Sequence, residues 1–285
     1  MPTVQLNFGL LDYRTFGPEN EGAPTAVFVH GFLVNGTLWD QVAERLAEIG
    51  IRSIVADWPL GAHSTPTNAD ANLSPTTISH AVLELLDSLG LDDVVLVGSD
   101  TGGGICQLAL KGDHRRIGGL VLTNCDAFEV FPPKFFVPLF VAARFRAAVW
   151  AIGQTMRLRP LRHSPLAFGL LLSAPRSPSL TEGWVRPLLS SSRIRLDIIR
   201  FAKGIQRTEL VHAASWLADF AKPTRLVWGT KDRLFTIEIA RRLVAALPKA
   251  TLVEIPNATT FVSIDRPDAV ASAISAIAEE IRRAE

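Results

Sequence analysis

Short apolar runs alternate with longer amphipathic ones along most of this chain. Residues 25–30 (TAVFVH) form a nearly unbroken apolar run of strand length, the pattern of a strand buried on both faces. Residues 38–50 (LWDQVAERLAEIG) repeat apolar positions at helical spacing and stop at Gly50, which predicts a helix. The alternation continues with strand 51–58 (IRSIVADW), helix 74–90, strand 93–98 (DVVLVG), helix 103–112 and strand 117–124 (IGGLVLTN). Helix 74–90 carries its own punctuation: Ser74 caps it, Pro75 takes its first position and Gly90 stops it. After a long interval the rhythm resumes with strand 223–229 (PTRLVWG), helix 237–248, strand 250–256 and helix 267–283. Such alternation predicts an α/β fold: a mostly parallel central sheet flanked by helices, with ligands at the C-terminal edge of the strands.

The interval 127–216 departs from this rhythm. It is rich in Pro, Arg and Leu, and predicts several helices and no clear strand. It reads as a helical cap inserted into a core made of residues 1–126 and 217–285. The insertion also changes the charge picture. The chain as a whole carries +1, yet the interval holds 2 Lys and 11 Arg against 3 Glu and 1 Asp, a net +9. The rest holds 16 basic and 24 acidic residues, a net −8. A basic insertion on an acidic base fits an anionic small molecule, an anionic membrane surface or a plain solvated helical face. Nucleic acid is not an expected partner, because the arginines are dispersed and only Trp150 and Trp184 offer large stacking surfaces. The most apolar tract, residues 135–153, is interrupted by Pro138, Arg144 and Arg146, so a bilayer span is not predicted.

Composition adds less. At 285 residues and 48% hydrophobic, the chain can build a sizeable core without staples. Cys106 and Cys125 do not make a disulfide framework, and the N-terminal stretch shows no signal-peptide pattern, so a cytoplasmic location is expected. His and Cys never pair at ligand spacing, so neither metal nor cofactor is expected.

The chemistry-bearing motifs fall at the ends of strands. In VVLVGSDTGGGICQLAL, strand passes directly into helix through Gly98-Ser99-Asp100-Thr101-Gly102, which matches Gly-x-nucleophile-x-Gly with Asp100 at the centre. Ser99 is out of register for that role. His30-Gly31-Phe32 follows the first well-defined strand, and the backbone N–H groups of Phe32 and Thr101 would face one point above Asp100 as an oxyanion hole. His30 itself is a turn residue. Asp232, in RLVWGTKDRLF, lies just past a later strand, where an acid would orient an imidazole.

Together these motifs resemble the α/β-hydrolase fold family, and within it the aspartate-nucleophile branch of haloalkane dehalogenases and epoxide hydrolases. The resemblance covers essentially the whole chain outside the cap. It implies that Asp100 attacks carbon to form an alkyl ester, which a histidine-activated water then hydrolyses. The branch carries its histidine in a loop of the form His-Phe-x-x-x-Asp-x-Pro after the last strand. This chain reads Thr260-Phe261-Val262-Ser263-Ile264-Asp265-Arg266-Pro267, with Thr260 at the base position. Threonine cannot accept a proton from water near neutral pH. The residue after the elbow is Thr101, where the dehalogenases carry a halide-holding Trp. The only tyrosine, Tyr13, lies far from the cap, where epoxide hydrolases place theirs.

Other residues are candidates for the missing parts. His63, in the loop WPLGAHSTP, emerges at the same sheet edge as Asp100 and could serve as base. His80 and His114 fit helix surfaces, while His163 and His212 lie in the cap. Asp126 also follows a strand and reads equally as supporting acid or turn cap. Trp150 or Trp184 could offer an N–H to a leaving group. Phe131, Phe135 and Phe136 are expected to line an apolar pocket. The expectation is an enzyme acting on an apolar small molecule through an alkyl-enzyme ester, with a non-standard or missing base. The alternative is a non-hydrolytic ligand-binding protein, or a lyase or cyclase using Asp100 as proton acceptor. Peripheral membrane contact through the basic cap is compatible with both.

Overall fold

The computed structural model describes residues 1–20, 22–173 and 178–284. The predicted cap interval therefore includes four residues, 174–177, that lie outside the described ones. Eight strands form one sheet: β1 (Thr3–Leu6), β2 (Gly9–Phe16), β3 (Thr25–Val29), β4 (Arg52–Ala56), β5 (Val94–Asp100), β6 (Ile117–Cys125), β7 (Thr224–Gly229) and β8 (Ala250–Ile255). Their order is β1-β2-β4-β3-β5-β6-β7-β8. Only β1 and β2 run antiparallel to their neighbours; every pair from β4 onward is parallel. Crossover helices demand parallel strands, which is why the strand–helix rhythm predicted this sheet. The hairpin β1–β2 escaped the sequence reading because Asn7-Phe8 between its strands carries no strong turn signal.

All five residues of β3 and all nine of β6 are buried, as central strands covered on both faces must be. Alternate side chains serve opposite cores: Val27 and Val29 join one, Ala26 and Phe28 the other. The first core packs α2 (Pro75–Ser88) and α3 (Thr101–Ala109), and the second packs α1 (Asp40–Glu48) and the C-terminal helix Pro267–Ala284. The Ser74 hydroxyl accepts from Thr77 N at 3.0 Å, the cap that the sequence predicted for α2. Between β6 and β7 the described residues hold helices and turns, including α4 (Val137–Ala142), α5 (Arg146–Met156), α6 (Arg159–Arg162), α7 (Pro178–Ser190) and α8 (Ser192–Gly204). This insertion contributes to both cores, with Phe140 and Ile198 in the first and Phe168 and Trp184 in the second.

Candidate active site

The site is built around a strained turn. Asp100 ends β5 and caps α3 at φ 53° and ψ −131°, a region that L-residues rarely adopt. The turn closes because its neighbours lack side chains. A Cβ on Gly102 would overlap the Val29 and His30 carbonyls, and one on Gly31 would overlap the Asp100 carboxylate itself. Phe32 N donates to Asp100 Oδ2 at 3.1 Å, and the Thr101 amide also stabilises the charged carboxylate. Both expected oxyanion-hole donors therefore face the Asp100 carboxyl. Phe32 is held in place by the rings of Phe140 and Phe201, at 4.7 and 5.6 Å between centroids. His30 sits behind this turn, fully buried. Burial holds its pKa down at about 3, so the ring is neutral. Its Nδ1–H then donates to Gly31 O at 2.9 Å and its Nε2 accepts from Trp58 N at 2.9 Å.

Three carboxyls share this corner, and burial raises the pKa of each. Burial pushes Asp100 up to about 7; the two amides pull it back and Asp232 adds repulsion. Asp100 keeps one open side, which faces the cavity. Asp126 is fully buried with the Thr101 hydroxyl near enough to lower its pKa, yet no hydrogen bond of ordinary geometry reaches either carboxylate oxygen. Burial, then the charge of Asp100, raises its pKa well above the usual carboxylate range. Asp232 Oδ1 accepts from Leu234 N at 2.7 Å and Phe235 N at 3.1 Å. Burial raises its pKa despite these bonds.

Thr260 is fully buried close to Asp232, near enough to lower that carboxyl's pKa. No hydrogen bond of ordinary geometry joins them, and Thr260 Oγ1 and Asp232 Oδ2 both lack a partner. The loop is nonetheless fixed. Phe261 N and Thr259 Oγ1 both donate to Leu171 O of the insertion, at 3.1 and 2.9 Å.

The remaining sequence candidates fall elsewhere. His63 does not line the Asp100 cavity. It is buried against α8, where Nε2 meets Asp197 Oδ2 at 3.2 Å and Nδ1 accepts from Gly61 N at 3.2 Å. Asp197 also takes Thr67 N, Thr67 Oγ1 and Arg200. The constellation ties the insertion to the loop after β4 and leaves both His63 nitrogens occupied. Trp184 is buried with its Nε1–H committed to Thr37 Oγ1 at 2.8 Å, and Trp150 is 55% exposed on α5 and does not line the cavity. Neither indole is positioned to hold a leaving group above Asp100. Phe135 and Phe136 line the cavity, while Phe131 is core.

The cavity above Asp100 measures about 290 Å³. Its walls come from Phe32 and Leu33 below and from Phe136, Leu139, Met156 and Phe168 of the insertion above. Among the described residues, Asp100 and Thr101 are the only polar side chains in the lining. The site thus offers one carboxylate and two amide donors to an apolar guest. Sequence reasoning missed Asn124, whose amide bridges Gly229 and Phe235 and so aims the loop that carries Asp232. Its place at the end of a strand was the available signal.

A parallel sheet of this order, carrying a strand–helix elbow beneath inserted helices, is the architecture of α/β hydrolases. Residues 24–267 match that fold family, and the chain belongs to it. It is 28% identical over 208 residues to haloalkane dehalogenase 2 of Mycobacterium tuberculosis, covering 67% of this chain and 66%, just under two thirds, of that protein. It is 26% identical over 285 residues to the cis-3-alkyl-4-alkyloxetan-2-one decarboxylase of Xanthomonas campestris, covering 94% and 92% of the two chains. The solved structure of an α/β hydrolase fold protein from Burkholderia ambifaria superposes with a TM-score of 0.78 at 21% identity, covering 96% of each chain.

Proposed function

We propose that Asp100 attacks an electrophilic carbon of an apolar small molecule and carries it as an alkyl ester. The observation that supports this reading is the Asp100 carboxylate itself, held at a strained elbow by the Phe32 amide and open on its other side to an apolar cavity. In the attack a carboxylate oxygen forms a C–O bond and the leaving group departs with the bonding pair. The oxygen at the Phe32 and Thr101 amides becomes the ester carbonyl, where those donors are placed to hold developing negative charge. Apart from the Thr101 hydroxyl, no side chain among the described residues that line the cavity carries an N–H or O–H to assist a departing halide or alkoxide. A strained ring that carries its own leaving group suits it best.

Release is the step that separates this chain from a plain hydrolase. Thr260 cannot activate water, and His63 is engaged away from the cavity. An oxetan-2-one, the ring acted on by the Xanthomonas relative, offers a route that needs no base. Attack of Asp100 at the ring carbon bearing oxygen opens the ring to a carboxylate. Loss of carbon dioxide then turns the C–C bonding pair into an alkene and expels Asp100 as carboxylate. This is a lyase outcome reached with Asp100 as nucleophile, not as the proton acceptor of the alternative reading. Epoxides and alkyl halides, by contrast, would leave a lasting ester.

Intact-protein mass spectrometry tests both steps. The native protein should gain a stable adduct from epoxides or alkyl halides and turn over a dialkyl oxetan-2-one to alkene, whereas Asp100→Asn should do neither. An adduct that survives in Asp100→Asn would remove Asp100 from the chemistry. A native protein that binds these compounds without adduct or product would be a ligand-binding protein on a hydrolase scaffold.

A further inference from the structure

From Val130 to Thr181 the sequence contains no Asp or Glu. Lys134, Arg144, Arg146, Arg157 and Arg159 are all exposed in this tract. Among the described residues, none of these five cations is ion-paired. Uncompensated positive charge coincides with unusual apolar exposure. Of the twelve large hydrophobic side chains exposed among the described residues, seven lie between 135 and 166. Phe145 is 64% exposed, Trp150 55%, Leu158 59% and Leu166 77%. A soluble surface scatters such residues singly, and crowding of this kind marks an interaction face.

The same tract forms the roof of the cavity. Phe135, Leu139, Met156 and Leu166 line it, and Phe135 and Leu166 are also open to the outside. The mouth therefore opens within the exposed apolar face. The helices Lys134–Ala142 and Arg146–Met156 are bent 116° to each other, and among the described residues no single helix is long and apolar enough to cross a membrane. The geometry fits a face lying on a bilayer.

We propose that the 134–166 face docks on an anionic phospholipid surface. Lys134 and the four arginines meet the headgroup phosphates, while Phe145, Trp150 and Leu158 enter the interfacial layer. The cavity mouth then faces the acyl chains, and an apolar substrate passes from bilayer to Asp100 without crossing water. Charge complementarity selects this partner over a second copy of the chain, whose corresponding face would carry the same net positive charge.

Co-sedimentation of the full chain with vesicles tests the proposal. Vesicles of phosphatidylcholine with about one third phosphatidylglycerol should bind the protein, and pure phosphatidylcholine should bind it at least about tenfold more weakly. Arg144→Glu with Arg146→Glu should weaken binding at least about tenfold. Phe145→Ser with Leu158→Ser should abolish the part that persists in high salt. Trp150 emission should shift to the blue on binding, and Trp150→Phe should lose the shift yet still sediment. Circular dichroism melts establish that each variant is folded. Asp100→Asn should bind vesicles as the native protein does, which keeps this outcome separate from the chemistry at the elbow. Failure to bind anionic vesicles, or binding indifferent to the charge reversals, overturns the proposal. So does self-association in light scattering that disappears in Phe145→Ser with Leu158→Ser, which would assign the face to a second copy.

Discussion

Two turns, the elbow at Asp100 and the loop 259–261 beside Asp232, are built to opposite standards. At the elbow every group has a use: a positive φ aims Asp100, glycines make room, and Phe32 N reaches its carboxylate at 3.1 Å. At the 259–261 loop the backbone is pinned just as firmly to Leu171 O, yet the side chain it presents, Thr260, makes no hydrogen bond. A buried hydroxyl without a partner is costly, and decay of an unused site would be expected to loosen the loop as well. On the proposed mechanism, the contrast teaches that the architecture of bond formation and that of water activation can be altered independently.

The strongest way to break this contrast is Asp100→Asn. It should lower adduct formation by about 10⁴-fold or more, read by intact mass, because the proposed nucleophile is removed and its amide-held geometry kept. In the native protein, adduct formation should rise with pH and level off above about 7, where Asp100 is ionised. Thr260→His comes next. A base restored beside Asp232 should shorten the lifetime of an alkyl adduct by about 10²-fold or more, measured by its loss over time. An unchanged lifetime would show that more than the imidazole is missing.

His63→Gln should sharpen the distinction between structure and chemistry. It loosens a buried tie to Asp197, so thermal stability should drop by about 1–3 kcal/mol while adduct lifetime changes less than about twofold. A large change in lifetime instead would return His63 to the reaction. The smallest effect concerns pH. Asp126 has its pKa raised on folding, so its contribution is fully present below the unfolded value and lost as pH rises through the folded one. Asp126→Asn should therefore raise the melting temperature relative to the native protein by more at neutral pH than at the acidic end of the range, near pH 4. Equal melting temperatures across that range would mean that Asp126 carries no such penalty.

The sheet was legible because crossover connections write themselves as alternating periods, and the elbow because a turn this tight demands glycines at fixed places. Thr260 was legible as a departure only because Phe261, Asp265 and Pro267 held the frame around it. The role of His63 was not. Its partner, Asp197, lies 134 positions away on an inserted helix, and no local pattern encodes which loop that helix covers. The indoles failed for the same reason: Trp184 finds Thr37 across 147 positions. Side chains whose duty is set by long-range packing carry no spacing signature.

The insertion enters after β6 and leaves before β7, so the roof of the cavity hangs from two stretches of backbone while the elbow belongs wholly to the sheet. On the proposed reading, reactivity and selectivity are therefore separable modules. Changes at Leu139, Met156 or Leu166 can resize the guest without touching the strain at Asp100. A lineage, or an engineer, can retool what the cavity admits by varying one contiguous stretch of chain and leaving the Asp100 carboxylate as it stands.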